Sequence, residues 1–316
     1  MRMMVKILNK LTLKFRGVRG SHPVPGEKTL KYGGNTSCIE IRANGNLLIF
    51  DAGTGIISLG DEMFEQHINS SNHTHLRQPM RFTIFFSHTH HDHTQGFSFF
   101  KPVYQASSIC YLFGPKIFQE ALEHGLGKAM VSPYFPVELA ELPSVKIIRS
   151  LKEAECVIYP SKEANPQIVS LLKDMHAIEQ APLKVFVLKS LAHPNGGVYI
   201  YKIIYNNKSI VYSTDTEGFW GGDQKLIKFA YKADLLIHDS QYFHEDYISD
   251  VFPVQGFGHS TVQMATDIAK QAKVKKLALF HFDPSYDDKT IEKMEKIAKK
   301  DFPATFAAYE NLIIEI

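Results

Sequence analysis

Apolar and polar positions alternate in short runs along most of this chain. LTLKF (11–15), SCIEI (37–41), NLLIF (46–50), RFTIFF (81–86), KVFVL (184–188), VYIYKIIY (198–205), SIVYS (209–213), DLLIH (234–238) and KLALF (276–280) are rich in β-branched and aromatic residues. Such runs read as strands. Ala43-Asn44-Gly45 and Tyr205-Asn206-Asn207-Lys208 supply turn chemistry between neighbouring runs, which predicts two hairpins. Apolar residues three and four apart over 54–67, 114–124, 223–232, 260–272 and 287–299 predict helices. Hairpins interleaved with helices favour two packed mixed sheets with helices outside over a doubly wound parallel sheet.

No internal repeat or linker breaks the pattern, so residues 1–316 are expected to form a single domain. Residues 153–182 read as a helical insertion, with Asn165 as N-cap, Pro166 at the first position, and Ile168, Leu171, Leu172, Met175 and Ile178 on one face. The segment is expected to pack on the domain surface; the alternative is a lid or an oligomer contact over the active site.

Composition narrows the class. The 316 residues are 44% hydrophobic and 22% charged, and 35 basic against 33 acidic residues leave a formal charge of +2. That balance gives no general pull towards long nucleic acids or membranes. Cys38, Cys110 and Cys156 are far apart and odd in number, so no disulfide framework is expected and a reducing compartment fits. The N-terminus, MRMMVKILNKLTLKF, lacks the apolar core of a signal peptide, and no window is long enough to span a bilayer. A cytoplasmic location is expected.

The candidate chemistry begins at FFSHTHHDH, where the RFTIFF strand ends. Side chains alternate along an extended segment, so His88 and His90 point the same way, and the following turn can bring Asp92 and His93 close to them. Neutral imidazoles and carboxylates are ligands of zinc-like divalent ions. The spacing suits two ions, one at His88 and His90 and one at Asp92 and His93. His193 in LAHPNGG, Asp215 in STDTEG and His281 in ALFHFDP each follow an apolar strand, where sheet-based active sites gather. His193 would complete the first set, His281 the second, and Asp215 would bridge them. His91 occupies the position expected to point away. His67, His73 and His75 read as a polar loop, and His124, His176 and His244 as surface residues. Phe97, Phe99 and Phe100 are either packing or a wall of the substrate pocket.

HTHHDH, the His before PNGG, the Asp of STDTEG and the last strand-end His together resemble the metallo-β-lactamase superfamily. FRGVRGSHPVPG, YGGNTSCIEI and LLIFDAGTG resemble its opening strands, so the likeness spans essentially the whole chain. It implies an αββα sandwich with a dinuclear site at one edge of the two sheets. Asp51 either caps the DAGTG turn or, by resemblance, steadies metal histidines from behind. A carboxylate at Asp215, where true β-lactamases of the superfamily carry Cys, resembles the hydrolase and phosphodiesterase branches.

DLLIHDSQYF and GFGHST resemble the ribonuclease Z and phosphodiesterase segments that supply a carboxylate–histidine pair. Asp239 stands where those relatives usually have Glu, and His259 is its partner. Ser260 and Thr261 are good N-caps for the helix that follows, so His259 lies beside a helix N-terminus suited to phosphate. The expected activity is metal-assisted hydrolysis of a small or cyclic nucleotide-type diester by a metal-bridging hydroxide, with Asp92 orienting the nucleophile and His259, held by Asp239, as general acid. Two divalent ions are implied, zinc first, with manganese, iron or nickel as alternatives. No basic glycine-rich arm of the ribonuclease Z kind lies between the first and third metal motifs, so precursor tRNA and extended nucleic acid are disfavoured. The alternatives are an acyl, thioester or lactone hydrolase on the same metals, a ribonuclease Z-like RNA endonuclease, and a non-catalytic binding module. A homodimer is compatible with the sequence.

Overall fold

The computed structural model describes residues 10–116 and 120–316; the segment before residue 10 and part of the helix expected over 114–124 lie outside the described residues. In chain order the strands are β1 (Thr12–Gly17), β2 (Cys38–Ala43), β3 (Asn46–Phe50), β4 (Arg81–Phe85), β5 (Ile109–Gly114), β6 (Val145–Ser150), β7 (Glu155–Tyr159), β8 (Gln167–Ser170), β9 (Leu183–Ser190), β10 (Val198–Tyr205), β11 (Lys208–Ser213), β12 (Leu235–Asp239), β13 (Leu277–Phe280), β14 (Thr305–Ala307) and β15 (Ile313–Glu315). They form a seven-stranded sheet, β15-β1-β2-β3-β4-β5-β6, and an eight-stranded sheet, β14-β13-β12-β11-β10-β9-β7-β8.

Each sheet combines a hairpin with strands added in parallel. β2 and β3 pair antiparallel, then β4, β5 and β6 follow in parallel. β10 and β11 pair antiparallel, then β12, β13 and β14 follow in parallel. The register sets Phe50 beside Phe85, Ser213 beside His238, and Asp239 beside Phe280. Residues just past these positions therefore emerge together at the strands' C-terminal edge, the usual ligand-binding edge of parallel strands.

The two sheets face each other across a core of aromatic side chains. Phe50 stacks on Phe85 at 5.1 Å, and Tyr201 of the second sheet sits 5.5 and 5.4 Å from these two rings. Its hydroxyl donates to the Phe86 carbonyl at 2.6 Å, so even the polar tip is satisfied across the sheets. On the outer face of the first sheet lies the helix Ile56–Asn69, which buries Ile56, Leu59 and Met63 against Ile49, Phe82 and Ile84. Arg16, nearly inaccessible, locks that helix to the sheet by binding Glu40 and Glu62. The helices Val262–Gln271 and Asp288–Asp301 bury Val262, Ala265, Ile268, Ile291, Met294 and Ala298 against the second sheet. The layers are those of an αββα sandwich.

Two expectations need correction. Of the helix expected over 114–124, the described residues form one only from Leu122, as Leu122–Lys128, and the run ICYLFG before it, not singled out in the sequence, is β5. A nearly continuous apolar run buried between parallel neighbours fits both a 3.6-residue and a two-residue period, so spacing alone cannot separate them. The helix expected across 165–178 is replaced by β8 and a short helix at Met175–Gln180, with β7 before them. Pro166 precedes a strand, in which Val169 pairs with Cys156, instead of heading a helix. Leu172 is 84% exposed, while Ile178 packs with Cys156, Ile158 and Ala181. The segment thus lengthens one edge of the second sheet.

Phe50→Ala is expected to lower the unfolding free energy by about 3–5 kcal/mol in urea titration. Leu172→Ala should stay within about 0.5 kcal/mol. A large loss at Leu172 would place that residue in a packed helix instead.

Candidate metal centre

Past Phe85 the chain leaves β4 through buried Phe86 and Ser87, runs extended through His90, and then makes one helical turn, His91–Thr94. The extended stretch puts the His88 and His90 rings 4.4 Å apart, and the turn swings His93 to 4.3 Å from His88. His91 points outward and is exposed. His193 follows β9, Asp215 follows β11, and His281 follows β13, all at the same edge. Asp51, Asp215 and His281 have φ of 59°, 52° and 64°, left-handed values that cost a non-glycine residue on the order of 1–2 kcal/mol each. Three sharp strand exits are thus held against local preference to aim side chains at one point.

Those side chains form two groups. His88, His90 and His193 make one; Asp92, His93, Asp215 and His281 make the other, with the donor atoms in each group within 4.8 Å of one another. Asp215 faces both: its Oδ2 lies 3.6 Å from His88 Nε2 and 3.9 Å from His193 Nε2, and its Oδ1 lies 3.1 and 3.3 Å from His93 and His281 Nε2. All seven residues singled out in the sequence converge here.

The hydrogen bonds around the cluster show which ring nitrogens remain free. His93 Nδ1 faces Asp51 Oδ2 at 2.8 Å, His281 Nδ1 faces Gln241 Oε1 at 3.0 Å, and His193 Nδ1 faces the Gly258 carbonyl at 3.1 Å. Ser87 Oγ donates to Asp51, so it accepts from His88 Nδ1 at 3.0 Å. With the Nδ1 protons committed outward, the Nε2 lone pairs of these four rings point inward. His88 Nε2 is buried and has no hydrogen-bond partner. His93 and His281 oppose Nε2 to Nε2 at 3.2 Å, and His193 Nε2 opposes His90 Nδ1 at 3.1 Å. A buried ring nitrogen without a partner, beside converging lone pairs and two carboxylates, fits divalent cations that prefer N and O donors.

The local electrostatics agree. Burial holds His88 well below the ordinary imidazole value and, with His193 adjacent, His90 down to about 4. Burial also lowers His193. These rings are neutral, as ligands must be. Burial opposes charge on His93, yet Asp215, Asp92 and Asp51 hold its pKa well above the ordinary value. A field that retains a proton on a buried imidazole also favours a cation there. Asp92 and Asp215 stay ionised despite burial because His93 and His281 surround them.

Beside the cluster stands the carboxylate–histidine pair. His259 Nδ1 lies 2.7 Å from Asp239 Oδ2, and the His259 ring is 5.0 Å from His281 and 5.2 Å from His193. The shorter Asp side chain reaches its partner. Burial opposes protonation of His259, but Asp239 outweighs it and pushes the pKa up to about 9. Asp239 Oδ1 accepts from the backbone N–H of Gln241 and Ser260, which fixes both loops. Thr261 caps the helix Val262–Gln271 by accepting from the Met264 N–H.

Four participants escaped the sequence reading. Ser87, Tyr212 and Gln241 hold Asp51 or His281, and the Ser21 N–H donates to Asp92 Oδ2 at 2.8 Å. The first three are adjacent in sequence to the cluster motifs, which is the only signal they give. Asp51 takes the steadying role, bonding His93 directly. Phe97 and Phe100 are core residues, packed against Phe86 and Phe82, while Phe99 is exposed. His67 is buried on its helix with Nδ1 2.8 Å from the Gln78 carbonyl, and is not in a polar loop.

A family model described as "Beta-lactamase superfamily domain" matches residues 46–282. A ribonuclease Z of Thermococcus sibiricus is 26% identical over 291 residues, covering 85% of this chain and 87% of that protein. A diphosphatase from the PhnP family has the same fold with a TM-score of 0.63 at 14% identity, covering 97% of this chain and 98% of that one. The short form of human tRNase Z aligns with a TM-score of 0.59 at 19% identity, covering 96% and 98%. The helices of the described residues include none long and apolar enough to cross a membrane. The chain belongs to the metallo-β-lactamase superfamily, a family of metal-dependent hydrolases, as a ribonuclease Z-like member.

Proposed function

We propose that this protein is a phosphodiesterase whose substrate is a small or cyclic nucleotide-type diester. The observation that carries the reading is the Asp239–His259 pair, closed at 2.7 Å and stacked against the metal-ligand histidine His281. Acyl and lactone hydrolysis need no such acid, whereas expulsion of a poor alkoxide from phosphorus does. His88, His90 and His193 would hold one divalent cation, and Asp92, His93 and His281 a second, with Asp215 shared. When bound, such ions lower the pKa of water and offset charge on phosphoryl oxygens, with zinc the first candidate for an imidazole-rich set.

The remaining work falls to the chain itself. Asp239 binds His259 Nδ1, which leaves Nε2 to donate a proton to the departing oxygen. A pKa raised to about 9 keeps that proton in place at neutral pH. Asp92, anchored by the Ser21 N–H, orients the attacking water in this reading. The capped N-terminus of Val262–Gln271, three residues from His259, favours the phosphate's negative charge.

A small substrate is supported by the near-neutral charge and by the 153–182 segment, which lies in the interval of the ribonuclease Z arm but folds as compact strands. The curated relatives named ribonuclease Z favour RNA as the second reading. The two separate on turnover of a cyclic nucleotide diester against cleavage of a precursor tRNA transcript. Turnover of the cyclic diester with the transcript left intact is expected, and the reverse would hand the assignment to RNA.

His259→Ala should slow an alkyl-leaving-group diester on the order of 10²–10⁴-fold while an aryl diester with a good leaving group falls much less. Equal losses on both would remove His259 as the acid, and faster hydrolysis of a lactone would replace the reading altogether. Chelation should abolish turnover and divalent metal should restore it, with Asp92→Ala and Asp215→Ala inactive at any metal concentration. Full activity after metal stripping would contradict the assignment.

A further inference from the structure

We propose that Glu217 is a positioning residue that clamps together the three loops carrying His193, Asp215 and His259. The inference rests on the phosphodiesterase reading only for its kinetic consequence. Glu217 lies two residues past Asp215, and its backbone N–H donates to the Ala192 carbonyl at 2.9 Å, immediately before His193. Its half-buried carboxylate accepts from the Gly256 N–H at 2.7 Å, the Gly258 N–H at 3.0 Å and the Tyr247 hydroxyl at 2.5 Å. The neighbouring Thr216 carbonyl accepts from Ser260 Oγ at 2.5 Å. One dipeptide thus ties the Asp215 turn to the loops on either side of it.

What the clamp delivers is the position of Gly258. The Gly258 carbonyl is the acceptor that commits the His193 Nδ1 proton outward, and the next residue is His259. The contact is tight. Gly258 has φ +92°, and a Cβ there would lie 2.2 Å from His193 Nδ1. Glu217 therefore governs both the tautomer of one metal ligand and the placement of the acid, without touching either. Around it the loop exposes Val251, Phe252 and Phe257 and buries only Val254, against Tyr242 and Tyr247, so its apolar anchorage is confined to one side chain. The carboxylate, accepting from three donors, supplies the remaining hold. Glutamine in its place presents an amide N–H₂ to backbone donors and loses at least one of these bonds.

Glu217→Gln tests the clamp, with amide hydrogen exchange on metal-free protein as a readout independent of turnover. Exchange across 249–258 should rise on the order of tenfold or more, with the rest of the chain unchanged. The His193 ring ¹⁵N signals should shift from one Nδ1–H tautomer to a mixture. Turnover of an alkyl diester should drop about 10–100-fold, and that of an aryl diester less. Tyr247→Phe, which leaves both backbone donors in place, should keep turnover within about threefold and the His193 tautomer unchanged. Unchanged exchange in Glu217→Gln overturns the proposal. So does a rise spread over the whole chain, which would make Glu217 a general stabiliser. If the unaltered protein turns over no diester while exchange and tautomer respond as stated, the phosphodiesterase reading fails and the clamp stands.

Discussion

The carboxylate of Asp51 is the contact on which the rest of the site depends. It sits past the end of β3, fully buried, and accepts from the Ser87 N–H and Oγ, His93 Nδ1 and the Tyr212 hydroxyl, all between 2.7 and 2.8 Å. Tyr212 belongs to the second sheet and the others to the loop after β4, so this one anion joins both halves of the sandwich. A buried carboxylate is costly unless its lone pairs are filled, and here four donors fill them. Through Ser87 the same group reaches His88, so it sets the orientation of one ligand in each group of donors.

From that anchor the logic of the cluster is outward bonding for inward coordination. Every Nδ1 proton that binds Asp51, Ser87, Gln241 or the Gly258 carbonyl frees an Nε2 lone pair for the centre. The left-handed exits at Asp51, Asp215 and His281 are local costs, and the surrounding networks keep them populated. In the proposed reaction His259 uses the same device for another end: the carboxylate behind its Nδ1 holds it as a proton donor beside the cluster. Imidazole nitrogens and two ionised carboxylates converge in one buried volume, a donor set that fits divalent cations.

Much of this was legible from residues alone because ligand-type side chains followed apolar strands. His88, His90, Asp92, His93, His193, Asp215 and His281 each stood where a strand stops, and the hairpin-plus-helix pattern gave the layers. His259 was legible through the resemblance of GFGHST to ribonuclease Z segments, with the capping residues after it in support. The failures have physical causes. β5 is buried on both faces and so carries no alternation. The stretch from Ile168 to Ile178 showed helical spacing, but pairing of β8 with β7 outweighed it. Ser87, Tyr212, Gln241 and Glu217 are ordinary residue types whose roles come from partners distant in the chain, which no local pattern encodes.

The central claim is that two divalent cations occupy the space between these donors. Anomalous X-ray diffraction at the metal absorption edge, on crystals of the protein purified without chelator, tests it most directly. Two peaks are expected: one among His88, His90 and His193, the other among Asp92, His93 and His281, with Asp215 adjoining both. A cluster without anomalous density after incubation with zinc or manganese, or a metal bound only elsewhere on the chain, would contradict it.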